Sequence, residues 1–106
     1  MNYTVNYSDK ARLDLRSIYE YIAYELLVPD TASKQIGRII KSIRSLEKMP
    51  ERFKLYEYEP WNSQGVRYFP IDNYLVFYLI QKSVVTIVRI IYGGRDISKQ
   101  LCETVE

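Results

Sequence analysis

Apolar residues at Ala11, Leu15, Ile18, Ile22 and Leu26 recur at spacings of four, three, four and four, which puts them on one face of a helix. Arg12, Asp14, Arg16 and Glu20 point elsewhere. Ser8 stands where an N-cap is needed, and Asp9 follows it where the helix dipole favours negative charge. Before it, Tyr3 to Tyr7 alternates weakly and predicts a short first strand. Val28-Pro29-Asp30 ends the helix, because a residue preceding proline is pushed out of the helical region, and Asp30 is the expected cap of the next one. The second apolar face is Ala32, Ile36, Ile39, Ile40, Ile43 and Leu46, ending before Pro50. Two amphipathic helices joined by so short a turn are expected to pack as an antiparallel hairpin.

The period then changes. Glu51 to Gln64 is irregular, with Pro60, Trp61, Asn62 and Ser63 reading as loop. Val66 to Phe69, Tyr74 to Ile80 and Val84 to Tyr92 are rich in branched and aromatic residues, and their connections are short enough for hairpins. The expected fold is α+β, in the order β-α-α-β-β-β: an antiparallel sheet packed on a helical hairpin, with a short C-terminal helix beginning at Ile97 to Leu101. Tyr74, Val76, Tyr78 and Ile80 line one side of the middle strand and Leu75, Phe77 and Leu79 the other, so both sheet faces are apolar. Two helices cover only one of them. The second face is expected to be an interaction surface, unless self-association, the C-terminal segment or the Glu51 to Gln64 loop covers it.

Composition narrows the chemistry. A length of 106 residues fits one domain, and the hydrophobic and charged fractions, 47% and 26%, are those of a folded globular chain without low-complexity tracts. Charges at Asp9, Lys10, Arg12, Asp14 and Arg16 interrupt the start of the chain, so no signal peptide or membrane span is expected there, and the protein is placed in the cytoplasm. The sequence has one cysteine, Cys102, and no histidine. That removes an internal disulfide, multi-cysteine zinc sites and every mechanism that relies on imidazole; no metal or cofactor is expected.

Certain residues stand out. Arg89 lies within an apolar strand, sharing by alternation the face of Val85, Ile87 and Ile91, and a guanidinium there needs an anionic partner: Asp72 or Asp96 within the chain, or an acidic group on another molecule. Gly93-Gly94 allows a sharp turn that delivers Arg95 and Asp96 past the strand, with Asp96 placed to cap the last helix. Lys34, Arg38, Lys41, Arg44 and Lys48 form a basic stripe on the second helix, which reads either as a solvated face or as an attraction for nucleic-acid phosphates. Of 11 tyrosines, Tyr19, Tyr74 and Tyr78 are expected in packing, whereas Tyr56 and Tyr58, with Trp61, either pack or stack on bases or on a partner.

The element order, together with "VRYFPIDNYLVFY", "IVRIIYGGRDISKQL" and the helix opening "ARLDLRSIYEYI", resembles the RelE/ParE superfamily of toxins from type II toxin-antitoxin modules, on the ParE side. That resemblance implies a toxin without catalytic residues that inhibits DNA gyrase and is neutralised by a co-encoded antitoxin, a small DNA-binding protein. Arg67, Arg89, Tyr92, Arg95 and Asp96 are then the contacts to target or antitoxin. The alternative that the superfamily offers is a RelE-like endoribonuclease cutting messenger RNA on the ribosome, for which Arg67, Tyr92 and Arg95 are the available catalytic set. A degenerate toxin retained for antitoxin binding is a third. The nuclease pattern places an arginine after the tyrosine that opens the middle strand, where this chain has Leu75, and Tyr92 stands where ParE relatives often carry histidine.

Overall fold

A computed structural model describes residues 2–93 and 97–102; Gly94, Arg95 and Asp96, and with them three of the expected roles, lie outside the described residues. Strand β1 (Thr4–Tyr7) leads into helix α1 (Asp9–Glu20), which widens into a π-helical turn, Tyr21–Glu25, before helix α2 (Pro29–Arg44). After two short 3-10 turns and the brief helix α3 (Trp61–Gln64) come strands β2 (Arg67–Ile71), β3 (Tyr74–Gln81) and β4 (Val84–Tyr92), then helix α4 (Ile97–Cys102).

Local chemistry explains most boundaries. The Ser8 hydroxyl accepts the Ala11 N–H at 3.0 Å and so caps α1. Helix α2 starts at Pro29, whose fixed φ suits the first helical position, so Asp30 falls inside the first turn instead of capping it. At the other end Arg52 donates to the carbonyls of Ser45, Lys48 and Met49, supplying positive charge to a helix C-terminus. The loops Asp72-Asn73 and Lys82-Ser83 close the two hairpins, with positive φ at Asp72 and Lys82.

The sheet order is β1-β4-β3-β2, antiparallel from β2 to β4 as the meander requires, while β1 joins the far side of β4 in parallel. Helices α1 and α2 bury Ala11, Ile18, Ala32, Ile39 and Ile43 against Val76, Tyr78, Val85, Ile87 and Ile90 on one sheet face. The opposite face is not left open. Tyr56 and Trp61 from the irregular segment, Val66 just before β2 and Leu101 from α4 close over Phe77 and Ile91. The expectation of an open interaction surface on this face is therefore corrected, and the alternative of coverage by the Glu51 to Gln64 segment and the C-terminal helix holds: the segment that the sequence leaves as loop folds a helical turn carrying Trp61, and the tyrosine and indole rings do the covering.

Two one-residue irregularities redirect side chains. In the π-helical turn both Ile22 and Ala23 are buried, and the extra residue per turn rotates Leu26 off the apolar face, leaving it 53% exposed. In β4, Tyr78 pairs with Ile87 and Phe77 with Arg89, so Val88 is a bulge. Val85 and Ile87 face the helices before it, and Ile90 does after it. Arg89 consequently leaves the face it shares by simple alternation with Val85 and Ile87, and stands in the row of Phe77 and Tyr68.

Candidate functional site: a groove at the β1 edge

Where β1 ends at Tyr7, β4 continues with an unpaired edge, and the start of α1 seals it. The Ser8 N–H donates to the Ile87 carbonyl at 2.9 Å, its hydroxyl to the Val88 carbonyl at 2.8 Å, and the Ile90 N–H donates to Asp14 Oδ2 at 2.9 Å. Arg89 then grips the same carboxylate with Nε at 2.8 Å and Nη2 at 3.0 Å, both side chains being almost withdrawn from water. Among the described residues Arg89 is thus paired with Asp14 and not with Asp72, and Asp96, the other expected partner, lies outside them. Asp72 accepts from Arg38 Nε and Gln35 Nε2, each at 2.8 Å, and these two bonds hold its carboxyl below the usual range.

Arg67 is also engaged within the chain. From β2 its Nη1 donates to the carbonyls of Phe53 at 2.6 Å and Glu51 at 3.2 Å, fixing the segment that follows α2. Beside it the Tyr78 hydroxyl donates to the Pro50 carbonyl at 2.6 Å, and burial pushes the phenol up to about 12. Tyr92 lies at the far end of β4, 46% exposed, edge-on to Tyr74. Burial raises the Tyr74 phenol, helped by Tyr92, Tyr21 and Asp72 nearby. Arg67, in the row of Tyr78, and Arg89, in the row of Phe77, leave opposite faces of the sheet, so Arg67, Arg89 and Tyr92 do not converge on one point. Gly93 extends the ladder beyond Tyr92 through its N–H to the Asn73 carbonyl at 2.8 Å, and an added Cβ would come within 3.4 Å of that oxygen.

The surface feature with the chemistry of a binding site is a groove of about 390 Å³ between β1, α1 and α2. Its floor is Val5, Tyr7, Leu15, Ile40 and Ile43; Arg12 and Arg44, both exposed, stand on its rim with Glu47. Partial burial raises the Tyr7 phenol against the opposing influence of Arg44. β1 is an edge strand of the sheet, so the groove runs beside a backbone able to pair with an added chain. The other edge is blunted: Leu55 bridges Arg67, the Tyr56 N–H reaches the Val66 carbonyl at 2.8 Å, and Pro70 has no N–H to offer. Sequence reasoning missed this groove, although Arg44 belongs to the basic stripe; Arg12 and Leu15 carry a signal only once β1 is known to lie beside them. Elsewhere on the stripe Lys34, Lys41 and Lys48 are exposed and Arg38 turns to Asp72. Tyr56 and Trp61 pack inside, and Tyr58, exposed, rests edge-on against Tyr56. Among the described residues no group of three acidic or sulfur ligands is placed to hold a metal, and no helix is long and apolar enough to cross a membrane.

The fold is that of toxins from toxin-antitoxin pairs. The chromosomal ParDE system of Pseudomonas aeruginosa contains a chain that superposes with a TM-score of 0.71 at 22% identity, covering 85% of this chain and 95% of that one. The RelBE2 toxin-antitoxin complex of Mycobacterium tuberculosis contains another, with a TM-score of 0.65 at 21% identity and coverage of 87% and 99%. No curated protein matches the sequence. The sequence pattern of the ParE toxin of the type II toxin-antitoxin system parDE spans residues 5–97, and the chain belongs to that family.

Proposed function

We propose that this ParE-family toxin acts by binding DNA gyrase and trapping it on cleaved DNA, and that a co-encoded antitoxin neutralises it by laying an acidic amphipathic segment in the β1 groove. The observation that carries the antitoxin reading is the pairing of an apolar floor, Val5, Leu15, Ile40 and Ile43, with two exposed arginines beside an edge strand. Apolar side chains of the segment fill the floor, its carboxylates meet Arg12 and Arg44, and its backbone extends the sheet. A binding mode of action, as opposed to RNA cleavage, is supported by the dispersal of Arg67 and Tyr92 to separate parts of the sheet and by a sequence without histidine. Contacts from Arg95 and Asp96 to the target belong to the same proposal.

The test is supercoiling of relaxed plasmid by gyrase in the presence of antitoxin-free protein. Lost supercoiling with accumulation of cleaved plasmid is expected. Full gyrase activity, together with cut messenger RNA in expressing cells, would replace this reading with the ribosome-dependent nuclease.

A further inference from the structure

The turn between α1 and α2, at the opposite end of the hairpin from the groove rim, exposes Tyr21, Tyr24, Leu26, Leu27 and Val28 together. Leu27 is the informative one. Its φ of 60° is left-handed backbone, which strains a leucine and leaves a glycine unstrained. At 76% exposure its side chain offsets little of that strain by burial within the chain. The preceding π-helical turn is the device that rotates Leu26 out beside it. Strain and exposed apolar area held at one apex mark a surface organised for a contact outside the chain.

Charge identifies the partner. From Ser17 to Ser33 the sequence contains Glu20, Glu25 and Asp30 and no lysine or arginine, in a chain of net charge +2. All three carboxylate residues are exposed; Glu20 pairs with Arg16 at 3.4 Å, so Glu25 and Asp30 carry the charge of the apex. Such an apex repels phosphates, which sets nucleic acid aside, and it repels equally the acidic segment assigned to the groove. It fits a protein surface with an apolar hollow edged by lysine and arginine. We infer that the α1–α2 apex, with Leu27 at its point, is the surface by which the toxin docks on such a hollow of its target. The inference rests on the reading of the chain as a toxin that acts by binding. Helical rise puts Tyr24 about 18 Å from Arg12 along the hairpin, so groove and apex can be engaged independently.

Leu27→Gly tests the inference without risk to folding, because it relieves the strain and removes an exposed side chain. Glu25→Lys tests the charge. Each is compared with the wild type in gyrase supercoiling, antitoxin binding and thermal unfolding. The expected result is a tenfold or greater rise in the concentration needed to inhibit gyrase, unchanged antitoxin affinity, a Tm not lowered by Leu27→Gly, and a Glu25→Lys defect that shrinks as salt is raised. Inhibition by both variants at the wild-type concentration overturns the inference, as does a parallel loss of antitoxin binding. A wild-type protein that leaves gyrase active defeats the gyrase reading instead, and the apex is then judged by growth arrest in expressing cells. Arrest lost in Leu27→Gly supports a different basic target; arrest retained overturns the apex.

Discussion

Asp14 and Arg89, 75 positions apart, form a two-pronged ion pair at the edge of the sheet, and the same carboxylate holds the Ile90 N–H. The pair ties α1 to β4 just where β1 stops covering that strand. Removing Asp14 takes a two-pronged carboxylate from a guanidinium in a site with little water and leaves the Ile90 N–H without its acceptor. Asp14→Ala is therefore expected to cost about 3 kcal/mol of unfolding free energy in urea titration. Asp14→Ala/Arg89→Ala should cost less than the sum of the single changes. Additive losses would mean that the pair is not coupled. Any loss of toxicity in Arg89→Ala has to be read against this fall in stability.

Ser8 caps α1 and also donates to Val88 next to the bulge, so two bonds depend on one hydroxyl. Ser8→Ala should lower stability by about 1–2 kcal/mol, towards the upper end of the range for caps. A Tm within a degree of the wild type would show that water replaces both bonds.

The groove gives a binding prediction separate from folding. Arg12→Glu and Arg44→Glu change exposed residues and should leave Tm nearly unchanged. Each is expected to weaken antitoxin binding tenfold or more, with a shallower dependence on salt, measured by titration calorimetry at two ionic strengths. Full affinity in both variants would move the antitoxin elsewhere.

Tyr78 sets the alkaline limit. Its phenol is raised from 10.0 to about 12 in the folded protein, mainly by burial. A raised folded value means that the native state holds the proton more tightly than the unfolded chain does. The resulting stability is fully present below pH 10 and is lost as pH climbs towards 12. Tyr78→Phe, which loses the bond to Pro50, should be less stable at neutral pH and should decline less steeply over that alkaline interval. An identical decline would assign the effect to Tyr3, Tyr7 or Tyr74, whose phenols are also raised.

The features legible in the sequence are those set by neighbours in the chain. Ser8 reads as a cap because the cap and the donor it accepts from are three residues apart, and the two faces of β3 follow from alternation alone. Periodicity assumes a constant step, and it fails where one residue is inserted. Nothing in Tyr21 to Glu25 announces the wider turn that expels Leu26, and nothing in Val88 announces the bulge that turns Arg89 to the other face. Partners distant in sequence were equally hidden. Asp14 meets Arg89 only because β1 joins β4 in parallel, and Trp61 covers the second face only because its segment folds back beside β2. The groove is concealed for the same reason, being made from three elements that adjoin only in the finished fold. The apex is concealed too: helical periodicity places Leu26 on the apolar face of the first helix, and only the wider turn shows it exposed beside Leu27.

The parallel pairing of β1 with β4 bears on how the toxin is made. Thr4 to Tyr7 find their partners only at Val84 to Ile87, so the first strand waits through most of translation before it has a place to go. A nascent chain that has not reached β4 offers Ser8 neither of the carbonyls it donates to and Asp14 neither Arg89 nor the Ile90 N–H, and its helices none of the sheet positions contributed by Val85, Ile87 and Ile90. Such long-range closure is slow and late. Interrupted translation products ending before Val84 should therefore be unfolded and harmless, which leaves a cell under starvation or ribosome stalling exposed only to the toxin molecules it finishes.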